Sequence, residues 1–309
     1  MDLVLYGYFG KGNLGDEALG LVWRERLSPL GPVRMLSPPR LPRGDMVVFA
    51  GEPLQDRTSR RSFLFYAAAI RAACRRGKAV LGAVGVDLRS RISLELLPRV
   101  LRGVAYISVR DPRSRAVLRS LDIPVREARD VALLLPAPCT RKGPGSPVLL
   151  NLVPMLPGKV RREALAFARG VARELGRELY GFVMDQVEDG VALRGLPLIV
   201  PRSPAEALEA IASASLLIGS RLHSLEFALL CGTPFVAIPY APKVESFLRL
   251  VERELPLPVP RLPGATPGEA LEAILTDGYG KRLVRARERL RDEAEEGMRD
   301  VIRFLREMA

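Results

Sequence analysis

A chain of 309 residues has room for two hydrophobic cores of about 150 residues each, and its 48% apolar content is that of a globular protein. No stretch reaches the ~20 uninterrupted apolar residues of a membrane span, and the amino terminus has no basic-then-apolar leader, so a cytoplasmic protein is expected. The net charge of +12 rests on 41 arginines against 6 lysines; scattered without aromatic interleaving or a nucleic-acid motif, they point to anionic substrates or a membrane face rather than to nucleic acid.

Asparagine and glutamine occur only twice each beside 26 prolines, a composition like that of thermophile proteins. Cys74, Cys139 and Cys231 lack paired spacing, and a single histidine leaves too few soft ligands for zinc. Neither a metal nor a cofactor is expected, and the thiols should be unpaired.

In chain order, residues 2–8 read as a buried strand, 10–15 as a glycine-rich loop and Asp16 to about Leu27 as a helix. The glycine spacing fits a dinucleotide fingerprint, but the second strand, 33–36, runs into Ser37-Pro38-Pro39 where an acidic ribose ligand belongs. No Gly-Lys-Ser/Thr follows, so it is not a Walker loop either. What remains is a close-approach backbone with Asn13, Asp16 and Glu17 at the mouth of a sheet, suited to sugar hydroxyls, with Asp16 alternatively a helix cap.

A strand at 45–50, a helix through about Cys74, a strand at 78–84, a helix from Ser93, a strand at 104–109 and a helix from Pro112 continue the alternation. Arg110 falls at a strand's carboxyl end, either as a site residue or paired with Asp111. Residues 136–147, rich in proline and glycine, read as a linker between a first domain, 1–138, and a second, 147–309. Beyond it the pattern restarts: strands at 148–153, 178–184 and 196–200 interleave with helices at 160–175 and 204–213. Both halves are therefore doubly wound α/β domains.

Residues 215–247 carry the richest signal. Leu216 to Ile218 form a strand, Ser220 is placed to cap a helix, Leu222, Leu225 and Leu229 share its inner face, and Gly232 ends it. A strand at 235–238 then leads to Lys243. Turns of this kind gather at a parallel sheet's carboxyl edge, so Arg221, His223 and Lys243 should converge where helix amino termini favour an anion. His223 is the only histidine, and an imidazole beside two cations finds use when a negative ligand arrives. The final helix, from Gly280, carries a stripe of Leu283, Ala286, Leu290, Ala294, Met298, Val301 and Leu305, read as core contact.

Tyr-Gly-Tyr-Phe-Gly-Lys-Gly-Asn-Leu-Gly-Asp-Glu-Ala at the start, Leu-Gln-Asp-Arg-Thr-Ser-Arg-Arg at 54–61, Ser-Val-Arg-Asp at 108–111, Ser-Arg-Leu-His-Ser-Leu at 220–225 and Pro-Tyr-Ala-Pro-Lys at 239–243 together resemble the polysaccharide pyruvyl transferase family, of CsaB type. The resemblance spans nearly the whole chain and departs at Ala50-Gly51-Glu52 and Gly82-Ala83-Val84-Gly85. It implies two Rossmann-like domains facing a cleft, as in GT-B glycosyltransferases, with the acceptor on the first and phosphoenolpyruvate on the second. It implies transfer of pyruvate from phosphoenolpyruvate to two hydroxyls of a sugar, forming a cyclic ketal and releasing phosphate. The acceptor implied is a cell-wall polysaccharide or its lipid-linked precursor, which leaves room for peripheral contact with the inner face of the membrane.

On that reading Arg110, Arg221 and Lys243 bind the donor's phosphate and carboxylate, with Ser220 beside them. His223 is the proton donor or a phosphate ligand, Asp16 orients or deprotonates the attacking hydroxyl, and Asn13 and Glu17 hold the sugar. Two rivals stay open: a GT-B nucleotide-sugar glycosyltransferase, and a non-catalytic binder of polyanions.

Overall fold

A computed structural model describes residues 2–138, 143, 145–255 and 258–308. Within the expected linker, residues 139–142 and 144 lie outside the described residues, and Cys139 with them. Two units emerge: Met1–Lys11, Asp16–Leu134 and Arg291–Ala309 make the first, and Gly12–Gly15 and Leu135–Leu290 make the second.

Short apolar runs alternating with helical periodicity build the first unit. In chain order come β1 (Leu3–Tyr6), α1 (Leu14–Leu27), β2 (Val33–Leu36), β3 (Met46–Phe49), β4 (Leu54–Gln55), α2 (Arg60–Arg76), β5 (Lys78–Val84), β6 (Val86–Asp87), α3 (Arg91–Leu101), β7 (Tyr106–Val109), α4 (Pro112–Arg119) and β8 (Arg126–Glu127). Six of the strands form a parallel sheet in the order β2-β1-β3-β5-β7-β8. Every residue of β1 and β3 is buried, which is why these strands read as continuous rather than alternating apolar runs. The strand order reverses between β1 and β3, so the glycine-rich loop and the segment after Phe49 leave the sheet on either side of its switch point. Pairing of β4 with β6 extends this edge as a small separate ladder.

The second unit contains β9 (Val148–Asn151), α5 (Gly158–Leu175), β10 (Leu179–Phe182), α6 (Asp189–Ala192), β11 (Leu198–Ile199), α7 (Pro204–Ser213), β12 (Leu216–Gly219), α8 (Leu222–Cys231), β13 (Phe235–Ala237), α9 (Pro242–Val251), α10 (Pro267–Leu275) and part of α11 (Tyr279–Met308). Its parallel sheet runs β11-β10-β9-β12-β13. Counted within the unit this is the order 3-2-1-4-5 of the dinucleotide-binding folds, reversing between β9 and β12.

Two segments depart from the expected division at 1–138 and 147–309. Residues 12–15, expected in the first domain, group with the second unit, because Leu14 N–H donates to Met184 O (2.9 Å) and Gln186 N–H to Gly12 O (2.9 Å). The end of α11, expected in the second domain, groups with the first. Arg129 pairs with Glu293 (2.5 Å) and Arg126 with Asp300 (3.2 Å), and a Cβ on Gly297 would lie only 2.5 Å from that of Ala128. The apolar stripe of α11 is buried from Leu283 to Leu305.

Candidate functional site

The switch point of the second unit is where its carboxyl-edge groups concentrate. Asn151 ends β9 and lies in register with Gly219 at the end of β12. Fully buried, Asn151 donates from Nδ2 to Phe182 O (2.9 Å) and to Asp189 Oδ2 (3.1 Å), and its Oδ1 accepts from Arg221 N–H (3.2 Å). One side chain thereby ties together the ends of β9, β10 and β12. Ser220, also fully buried, accepts from Val153 N–H through Oγ (2.9 Å). It does not cap the following helix as expected: the N-cap position belongs to Arg221, which makes no side-chain cap bond.

Arg221 was expected to fork a phosphate, and its guanidinium is instead enclosed by acids. Nη2 lies 2.6 Å from Asp189 Oδ1, 3.2 Å from Glu188 Oε2 and 3.7 Å from Asp185 Oδ2, while Nε donates to Asp189 at 2.8 Å. Burial pulls its pKa down, but the charge of Asp189 and the bonds to it more than offset this, and the pKa ends above the ordinary arginine value. Held by three carboxylates, Arg221 anchors the start of α8. Asp189 completes the knot by accepting from Met184 N–H and Asp185 N–H, both at 3.0 Å.

His223 occupies the first turn of α8, half-buried, with Nε2 3.8 Å from the buried carboxylate of Glu226. Its Nδ1 edge faces Gly15: a Cβ added there would sit 1.9 Å from Nδ1 and 2.4 Å from Cγ. Lys243 lies in the first turn of α9, half-buried. Because β12 and β13 pair in register at Gly219 and Ala237, α8 and α9 follow neighbouring strands at the same edge of the sheet. Neither Arg221 nor Ala241 caps its helix with a side-chain hydrogen bond. The structure therefore brings His223 and Lys243 to two neighbouring helix starts, where backbone N–H groups and the positive dipole ends favour an anion.

Asn13 joins this second unit rather than the first. Its Nδ2 donates to Asp185 Oδ2 (3.3 Å), its Oδ1 accepts from Gly15 N–H (3.1 Å), and its backbone bridges to Asp185. Sequence reasoning missed Asn151, Asp185 and Asp189; one cue was available, in that a fully polar Asn interrupts an apolar strand end at 151.

In the first unit, Asp16 stands half-buried in the first turn of α1, close enough to Tyr66 to affect it. Burial first, and then the Asp16 charge, push the Tyr66 phenol up. Glu17, expected on the sugar, accepts through Oε1 from Gly10 N–H (2.6 Å) and Lys11 N–H (3.2 Å), fastening the loop. Arg110 is buried at the end of β7, and its partners are Asp130 (2.7 Å) and Glu52 (2.6 Å). Asp111 caps α4 by accepting from Ser114 N–H (3.0 Å).

The model of the family "Polysaccharide pyruvyl transferase" matches residues 13–242, a span that includes Asn13, Asp16, Glu17, Arg110, Ser220, Arg221 and His223 and ends one residue before Lys243. No curated protein matches the chain in sequence. Among solved structures it is similar to the UDP-GlcNAc 2-epimerase of Methanocaldococcus jannaschii in complex with UDP-GlcNAc and UDP, with a TM-score of 0.60 and 12% identity over 99% of each chain. It is similar to the UDP-GlcNAc 2-epimerase of Neisseria meningitidis bound to UDP-GlcNAc, with a TM-score of 0.58 and 12% identity over 99% of this chain and 100% of that one. The calicheamicin glycosyltransferase CalG4 gives a TM-score of 0.57 and 15% identity over 100% of this chain and 99% of that one. These likenesses place the fold among the two-unit, Rossmann-like GT-B proteins. Among the described residues, no helix is long and apolar enough to cross a membrane.

Proposed function

The chain belongs to the polysaccharide pyruvyl transferase family, and on that premise we propose that it moves pyruvate from phosphoenolpyruvate to two hydroxyls of one sugar as a cyclic ketal, releasing phosphate. The acceptor is a cell-wall glycan or its lipid-linked precursor, as in the CsaB-type branch, and the lipid-linked form brings the enzyme to the membrane's inner face. The observation that supports the reading is that the single histidine and Lys243 each stand in the first turn of a helix that follows one of two paired strands and has no side-chain N-cap bond. A phosphate and a carboxylate need such a cradle, and the reaction needs one group that exchanges a proton near neutral pH.

His223 gives its proton to the methylene carbon of phosphoenolpyruvate, so that the C=C electron pair forms the new C–H bond and C2 becomes electrophilic. A sugar hydroxyl adds to C2 and loses its proton to Asp16. The C2–O bond to phosphate then breaks with its electron pair on phosphate, and the second hydroxyl adds to the resulting cation, closes the ring and loses its proton to the His223 imidazole, while Asp16 passes its proton to the departing phosphate. Lys243 and the α8 and α9 amino termini carry the negative charge of donor and leaving group. Arg221, held by Asp189, contributes by fixing α8, and Arg110 by organising the edge of the first unit.

The test is phosphate release with a glycan acceptor at saturating phosphoenolpyruvate. His223→Ala should lower turnover by about 10² to 10⁴, the range lost with a general acid. Lys243→Ala should keep turnover but weaken donor binding by about 1.5 to 3 kcal/mol. Turnover of His223→Ala above about a tenth of the parent would remove histidine from the chemistry.

A further inference from the structure

The segment 12–15 makes contacts in the second unit that a sugar-binding loop does not require. Its backbone forms an antiparallel bridge with 184–186, through Leu14 N–H to Met184 O and Gln186 N–H to Gly12 O. The Asn13 side chain spans the turn, holding Gly15 N–H on one side and Asp185 on the other. The result of this clamping is that the backbone of Gly15, buried, presses against the Nδ1 edge of His223 so closely that a methyl group could not stand between them.

We infer that residues 12–15 are a positioning element for His223, with Gly15 setting the place of the imidazole and Asn13 holding Gly15. The inference rests on His223 being the reactive group proposed above. Two supports converge on this ring from one short loop. Asp189 holds Arg221 and hence the start of the helix that carries His223, while Asp185 holds Asn13 and hence the surface against which the ring lies. Buried carboxylates that accept several hydrogen bonds give the loop its rigidity, and each would leave unsatisfied donors if removed. An imidazole on a half-buried helix turn otherwise has several staggered rotamers available. Gly15 leaves room for the one observed, in which the ring lies where a Cβ would stand. The glycine is thus required for its missing Cβ, a role unrelated to the dinucleotide fingerprint that its spacing imitates.

Because the protein has one histidine, its ring reports without ambiguity. Three-bond couplings that read the His223 χ1 angle by NMR should show one rotamer in the parent and an average of several in Asn13→Ala, a variant that does not alter the ring's own neighbour. Gly15→Ala should move the ring to a different rotamer. In both variants the donor KM should stay within about twofold while kcat falls, by about tenfold for Asn13→Ala and about 100-fold for Gly15→Ala, as expected when a reacting group is displaced by roughly an ångström. Should Gly15→Ala fail to fold, Asn13→Ala carries the test alone. Parent couplings in a folded Asn13→Ala, or activity lost only in proportion to its unfolded fraction, would overturn the inference. The couplings are measured without donor or acceptor, so a protein that shows the rotamer change yet transfers no pyruvate would contradict the proposed reaction and leave the positioning role standing.

Discussion

Asp189 has no exposed surface, yet its carboxylate accepts from Asn151, Met184 N–H, Asp185 N–H and the Arg221 guanidinium. Replacing it by alanine would strand a buried cation and several buried donors at once. The expected cost is about 3 to 5 kcal/mol, the range for breaking one half of a buried ion pair, measured as a loss in chemical denaturation. Asp189→Asn, which keeps the shape and half the acceptors, should lose less. A variant at position 189 with parent stability and parent activity would mean that Arg221 needs no anchor. At this scale the placing of His223 and Lys243 in first turns of helices was legible, because a strand-to-helix turn is a local signal. It was silent about Asp185 and Asp189, since acids in a polar stretch such as Met184-Asp185-Gln186-Val187-Glu188-Asp189 look like solvated surface until the fold buries them. Nor did it show the carboxylates beside Arg110 and Arg221, which only the packing reveals.

Elements were legible where pattern alone decides them. The strands 33–36 and 78–84 and the helix 204–213 follow from apolar period and from Ser203, which accepts Glu206 N–H as an N-cap. Short pieces such as β4, β6 and α6 have too few residues to show a period, and they exist because the neighbouring loops hold them. Asp56 is such a holder. Its two oxygens accept from Arg89 N–H (2.8 Å) and Ser90 N–H (2.9 Å), the residues that lead into α3. Burial acts to raise its pKa, but these backbone bonds, one from Ser93 and the nearby Arg60 outweigh it, and the net shift is downward. A carboxyl with its folded pKa below its unfolded one stabilises above the unfolded value and loses that contribution as pH falls through the folded value. Asp56→Asn should therefore be less stable than the parent at neutral pH, with the gap closing as the solution becomes strongly acidic. Denaturation midpoints for both proteins across an acid series check this, and a gap independent of pH would contradict it.

For the whole molecule, the alternation of strand and helix announced two doubly wound units, and the sheet orders give each its own switch point. The exchange of 12–15 and 291–309 between units was not legible. A linear reading assigns a segment to its sequence neighbours, whereas a two-bond bridge to 184–186 and the packing of Gly297 on Ala128 depend on contacts far apart in the chain. The central claim is the identity of the donor, because the fold is equally that of proteins solved with UDP-GlcNAc. Only a ligand that binds the native state raises apparent stability, by about 2.7 kcal/mol at one hundred times its Kd. The most direct measurement is therefore the thermal unfolding of the parent and of Lys243→Ala with phosphoenolpyruvate and, separately, with UDP-GlcNAc. The account predicts that phosphoenolpyruvate raises the midpoint of the parent in a concentration-dependent way, that Lys243→Ala needs more of it for the same rise, and that UDP-GlcNAc raises neither. Stabilisation by UDP-GlcNAc with none by phosphoenolpyruvate would contradict it.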